Sequence, residues 1–334
     1  MQRRDLIRGA AAATLVPTFS FASAPPSSRV RPGMPDWPDP GAWAALNGAV
    51  GGRLIRPAPI AEPCAVDARS AACTARIGAL ANPFFIGDQP GGTQVSGWVD
   101  AWTPSVSPWA VAAESTADVV AAVNFARRHN LRLAVKGGAH SYQGTSNASD
   151  SLLIWTRRMN RIAVHDAFVP AGGKEPIPAV SIGAGAMWVD AYDAVTTRAG
   201  RYVQGGGCAT VGVAGLVLGG GFGSFSKRYG LAAASLIEAE IVTADGRVRT
   251  VNAYRDPELY WALKGGGQCA FGVVTRLTLK THPLAATAGG CFGTLKASSD
   301  EGFRRLLGRF VDHVADNLIT PNWGESVQIT PSNK

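Results

Sequence analysis

The apolar positions change period several times between residues 109 and 283. Ala110 to Ala113 is a continuous apolar run of strand length. From Ser115 the spacing lengthens. Val119, Val123 and Ala126 recur at helical intervals, and Asp118 stands three residues after Ser115, as in a capping box. That pattern predicts a helix ending near Asn130. Leu131 to Val135 and Leu152 to Trp155 read as buried strands. A second helix is predicted over Met187 to Arg198, stopped by Gly200. Leu236 to Thr243 and Arg247 to Asn252 flank Asp245-Gly246, which is a hairpin signal. Pro257 to Leu263 starts a short helix on a proline. Phe271, Val273, Leu277 and Leu279 alternate with polar partners, so Phe271 to Lys280 reads as a strand. Helices and strands alternate, yet the hairpin is antiparallel, and the fold class predicted is mixed α+β. Residues 25 to about 60 are Pro-rich and read as an extended lead-in. There is no internal repeat.

The chain has 334 residues, enough for about two domains. Hydrophobic residues are 46% and charged residues 17%, which disfavours a coiled coil or a disordered chain. The net charge of +8 is 32 basic minus 24 acidic residues. The basic residues are scattered, with no run longer than Arg127-Arg128 or Arg157-Arg158. A nucleic-acid binder clusters them, so no nucleic-acid partner is expected. Arg3-Arg4 precede an apolar, Ala-rich run from Gly9 to Ala24 that ends in Ala22-Ser23-Ala24. Pro17 interrupts it, and it is shorter than the about 20 apolar residues of a membrane span. Residues 1–24 therefore read as a cleaved signal peptide, leaving no stable membrane span. Arg3-Arg4-Asp5-Leu6-Ile7-Arg8 resembles the twin-arginine export signal of bacteria, which implies a periplasmic or secreted protein. An oxidising compartment permits a disulfide between Cys64 and Cys73. Cys208, Cys269 and Cys291 remain, so at least one thiol is unpaired. The five histidines show no metal-ligand spacing, and no metal is expected.

Three glycine clusters stand out: Gly137-Gly138 ahead of His140, Gly205 to Gly223, and Gly265-Gly266-Gly267. Successive backbone N–H groups freed by glycine form concavities that suit a pyrophosphate. The spacing is not that of a Rossmann fingerprint. Val135-Lys136-Gly137-Gly138-Ala139-His140-Ser141-Tyr142 resembles the V-R-S-G-G-H-S-Y motif of the berberine bridge enzyme-like flavoproteins, within the vanillyl-alcohol oxidase superfamily. Cys208 to Gly215 resembles their C-P-T-V-G-x-G-G motif. Gly219 to Gly223 with Arg228-Tyr229-Gly230-Leu231, and Trp261 to Gly267 with Phe271 to Thr275, match two further blocks in family order.

The resemblance implies a PCMH-type FAD-binding domain over 104–284, after a signal over 1–24 and an extended region over 25–103. The start of a mixed α/β substrate domain would follow over 285–334. It implies FAD held covalently through His140 at the 8α carbon and Cys208 at C6. Gly137, Gly138, Ala139 and Ser141 would line the pyrophosphate and ring. Thr210, Val211, Gly212, Gly215, Gly220 and Gly223 would form a second wall, with Val273 on the adenine side. A valine three past the cysteine resembles members that react with dioxygen. The implied function is oxidation of an alcohol, carbohydrate or secondary metabolite, with hydride passing to flavin and dioxygen as acceptor. A dehydrogenase with another acceptor and an inert flavin-binding fragment remain open. Ala139 replaces a family glycine, Ala209 a proline, Leu216 a frequent histidine, Trp155 a frequent aspartate, and Gln268-Cys269-Ala270 a Gly/Asn-rich link. Family members run on well past this length and supply a Tyr or Glu base there. The expectation is a fragment ending in the first substrate-domain strand, Trp323 to Ile329, with its catalytic base unknown.

Overall fold

The computed structural model describes residues 28–95, 97–268 and 270–330. The signal-like segment and Cys269 lie outside the described residues. In chain order the elements are α1 (Pro40–Ala49), β1 (Leu54–Ile55), α2 (Glu62–Val66), α3 (Ala71–Ala79), α4 (Pro83–Gly87), β2 (Trp109–Ala112) and α5 (Thr116–Arg128). Then come β3 (Arg132–Lys136), β4 (Ser151–Trp155), β5 (Ile162–Phe168), β6 (Ile177–Gly183), α6 (Trp188–Tyr192), β7 (Arg201–Val203), α7 (Val213–Leu218) and α8 (Ser226–Tyr229). The last are β8 (Leu236–Val242), β9 (Val248–Asn252), α9 (Pro257–Leu263), β10 (Val273–Pro283) and α10 (Asp300–His313).

The N-terminal segment is folded, not extended as its prolines suggested. Pro40, Pro63 and Pro83 sit in the first turns of α1, α2 and α4, where a missing N–H leaves no hydrogen bond unmade. Asp39, Ser70 and Asn82 accept backbone N–H groups as helix caps. Trp43, Leu46 and Val50 join the core that holds Phe125 of α5. A Cys64–Cys73 disulfide ties α2 to α3.

Two sheets follow. The first runs β1-β2-β4-β3, with β2, β4 and β3 parallel and β1 antiparallel to β2. The second runs β5-β6-β10-β8-β9, antiparallel throughout, and β7 pairs with the far end of β10. Helix α5 touches strands of both sheets. Its start has both arms of the capping box, Ser115 and Asp118, and it buries Val119, Val123 and Ala126 at the predicted spacing. The helical stretch after Met187 is α6 continued by a π-helical turn over Asp193–Arg198.

Two readings are corrected. Phe271 is 42% exposed and precedes β10, because the strand starts only after Gly272. Residues 323–329 form no strand, and they have no ladder partner among the described residues. Glu325 instead pairs with Lys227 at 2.6 Å.

Candidate functional site

Strand β3 ends at Lys136 and delivers the chain into the loop that begins Gly137-Gly138-Ala139-His140-Ser141. Among the described residues, no protein acceptor takes the backbone N–H groups of Gly137 to His140. Four successive free donors in one turn make an anion-binding concavity. Gly138 packs directly on the second glycine-rich loop: a Cβ there would lie 2.4 Å from the Gly212 nitrogen and 2.8 Å from the Thr210 carbonyl oxygen. Only glycine permits that approach. Ala139, where the family has glycine, takes a left-handed φ of +63°. Its carbonyl accepts the Gln94 N–H at 2.9 Å. Ser141 Oγ lies 2.7 Å from Thr145 Oγ1, closing the loop.

The second wall is built from residues 204–223. His140 Nε2 lies 2.9 Å from Thr210 Oγ1, and Cys208 Sγ lies 3.8 Å from the same oxygen. Thr210 is 4% exposed, so its hydroxyl is a fixed point between the imidazole and the thiol. Cys208 is free and exposed. Gly212 precedes α7, and Val211 packs half-buried against the core. Gly215 on α7 accepts from the Gln268 side chain at 3.1 Å. Gly220 faces Gly265, whose Cβ would lie 3.5 Å from its Cα. A Cβ on Gly223 would lie 1.9 Å from the Gly205 carbonyl oxygen, so that crossing also demands glycine. Thus all four motif blocks meet. The Val273 side chain is buried in the core cluster that holds Val242 and Val111, which leaves its backbone for the contact the resemblance implies.

Burial holds the His140 pKa below its ordinary 6.5, partly offset by its hydrogen bond to Thr210. Burial therefore favours the neutral imidazole. Lys136 is 1% exposed. Its Nζ donates to the carbonyls of Gln89 (3.1 Å), Pro90 and Gly92 (3.0 Å). Burial pulls its pKa down to about 7, although three carbonyl acceptors favour the charged form. The sequence reading assigned Lys136 no role. The signal was there: a cation that follows the apolar run Leu133-Ala134-Val135 at a strand's end needs partners if it is buried. A cleft of about 510 Å³, lined by Trp37, Trp43, Arg56 and Trp109 among others, shares no residue with these loops.

The arrangement fits a flavin dinucleotide. It offers unengaged N–H donors, a close approach that a Cβ would block, and an imidazole and a thiol at one end. Among the described residues no group of His, Cys, Asp and Glu could hold a metal ion. No helix there is long and apolar enough to cross a membrane.

Residues 108–252 match the model of an FAD binding domain. The FAD-linked oxidoreductase ZEB1 of Gibberella zeae is 32% identical over 330 residues, covering 90% of this chain and 56% of that protein. The FAD-linked oxidoreductase penH of Penicillium thymicola is 37% identical over 305 residues, covering 85% of this chain and 53% of that protein. The crystal structure of the VAO-type flavoprotein MtVAO615 from Myceliophthora thermophila C1 superimposes with a TM-score of 0.69 at 32% identity, over 77% of this chain and 50% of that one. The chain spans about half the length of the curated relatives it matches. Motif order, converging glycine loops and these likenesses agree: the chain carries the PCMH-type FAD-binding domain of the vanillyl-alcohol oxidase-type FAD-linked oxidoreductases.

Proposed function

We propose that this chain is the flavin-holding part of an exported oxidase that binds FAD through two covalent links, His140 and Cys208. The observation that carries the reading is the Thr210 hydroxyl, which stands 2.9 Å from His140 Nε2 and 3.8 Å from Cys208 Sγ. One small buried group thereby brings the two attachment residues together. When bound, the flavin supplies the ring that takes a hydride from a substrate C–H bond, with dioxygen as the final acceptor. The protein's part is to hold and orient it. The free N–H groups of Gly137 to His140 take the pyrophosphate charge. Thr210 engages Nε2 of the imidazole, so Nδ1 would be the nitrogen that holds the flavin. The exposed Cys208 is open to the ring edge. The substrate class is an alcohol, a carbohydrate or a secondary metabolite. The paired arginines ahead of a weakly apolar run favour twin-arginine export, which carries folded, cofactor-loaded cargo to the periplasm or beyond.

The test is the visible spectrum of acid-precipitated protein. Wild type is expected to stay yellow after denaturation. His140→Ala and Cys208→Ala should each keep one link, and the double variant should release all flavin. Complete release from wild type ends the covalent reading. Peroxide release on substrate oxidation tests the acceptor. Unchanged export of Arg3→Lys/Arg4→Lys in cells lacking the twin-arginine pathway ends the export reading.

A further inference from the structure

We infer that Lys136 is a positioning residue for the flavin cradle: it fastens the 83–95 segment beneath the glycine loop, and that segment holds Ala139 in the conformation the cradle needs. The inference rests on the flavin reading above. Lys136 Nζ gathers the carbonyls of Gln89, Pro90 and Gly92, so one buried ammonium fixes the path of that loop. Just beyond the loop, the Gln94 N–H donates to the Ala139 carbonyl at 2.9 Å. The left-handed φ of Ala139 is disfavoured for any residue with a Cβ and persists only where neighbours impose it. The Gln94 bond fixes the orientation of the peptide that links Ala139 to His140, and that peptide carries the His140 N–H.

Four further contacts seat the same segment. Arg157 Nε donates to Asp88 at 2.9 Å, and Arg157 Nη1 donates to the Gly185 carbonyl at 3.3 Å. Gly87 packs so closely on Met187 that a Cβ there would lie 2.6 Å from its terminal methyl. The Gln94 side chain returns to the Pro83 carbonyl at 2.9 Å. The segment is thus a rigid brace, and Lys136, which ends β3 immediately before the cradle, joins brace to cradle through its own backbone.

The experiment titrates FAD into the His140→Ala/Cys208→Ala parent, where binding is reversible, and follows quenching of flavin fluorescence well below the melting temperature. Lys136→Met is expected to weaken FAD binding about tenfold or more, the scale of one well-made hydrogen-bonding interaction. Lys136→Arg, which keeps a cation and several donors, should bind FAD more tightly than Lys136→Met. A purely structural lysine would lower the melting temperature and leave the affinity of the folded protein alone. If Lys136→Met does not fold, Gln94→Pro decides the matter against Gln94→Ala: both lose the side-chain bond to the Pro83 carbonyl, and only the proline variant also loses the N–H that holds Ala139. It too should weaken binding about tenfold. Parent affinity in folded Lys136→Met or in Gln94→Pro overturns the inference and leaves the flavin reading intact. A wild-type chain that takes up no FAD overturns both.

Discussion

Thr210→Val tests whether the hydroxyl between His140 and Cys208 positions the attachment residues. Valine keeps the shape and replaces Oγ1 with a methyl. Thr210 is 4% exposed, and its hydroxyl makes a 2.9 Å contact with His140 Nε2. A hydrogen bond of this kind contributes about 1 kcal/mol net, and a stranded buried partner adds about 1–3 kcal/mol. His140 is only half-buried, so water relieves much of the second penalty. The loss should therefore be near 1 kcal/mol, which lowers the melting temperature by roughly 2–4 °C for a domain of this size. The imidazole also loses the group that fixes its ring, so covalent attachment should slow. Flavin-free protein is melted first, for wild type, Thr210→Val and Thr210→Ser. FAD is then added, and acid-stable flavin is followed over time. Thr210→Ser keeps the oxygen and should attach at close to the wild-type rate. If Thr210→Val melts with wild type and gains acid-stable flavin at the same rate, the hydroxyl does not position these residues.

Gly223→Ala would drive a Cβ to 1.9 Å from the Gly205 carbonyl oxygen, and it should abolish FAD binding measured by fluorescence quenching. Ser115→Ala removes the oxygen that accepts the Asp118 N–H at 3.3 Å, and denaturant unfolding should show a loss of about 1 kcal/mol. Cys64→Ser/Cys73→Ser opens a loop whose ends are nine residues apart, and unfolding should show a loss of about 2–3 kcal/mol. Burial lowers the His140 pKa below 6.5, so its imidazole stays neutral to a lower pH than a free one. The rate of acid-stable flavin formation in Cys208→Ala should then be level from about pH 8 to 6.5 and fall only below that.

The central elements were legible because each had a local cause. The Ser115–Asp118 box, the Asp245-Gly246 turn and the proline at the start of α9 all act within a few residues, and all stand where the pattern put them. The glycine blocks were legible as motifs, and the structure supplies their reason: backbone crossings of 138 on 212 and 223 on 205 that no side chain could share. The N-terminal segment misled for a physical reason. Proline lowers helix propensity in a helix interior but not in the first turn, and composition alone does not distinguish the two. Val273 is a different case. Its block was recognised, but a block places a backbone near a ligand and leaves the side chain free to pack in the core, as this one does.

Ala139 and the N-terminal segment are best understood together. A glycine at that position would adopt a positive φ without strain, and the loop could form from local preference. With alanine there, the left-handed conformation has to be imposed from outside. The contacts that impose it come from residues 83–95, held by Lys136 and by the pairing of Arg157 with Asp88. Apart from Lys136, none of these is near Ala139 in the chain. A local reading therefore registers the alanine only as a departure from the motif, while the tertiary structure shows the brace that makes the departure tolerable. The same logic explains why Lys136 went unassigned: its partners are three backbone carbonyls, and no side-chain pattern announces a carbonyl.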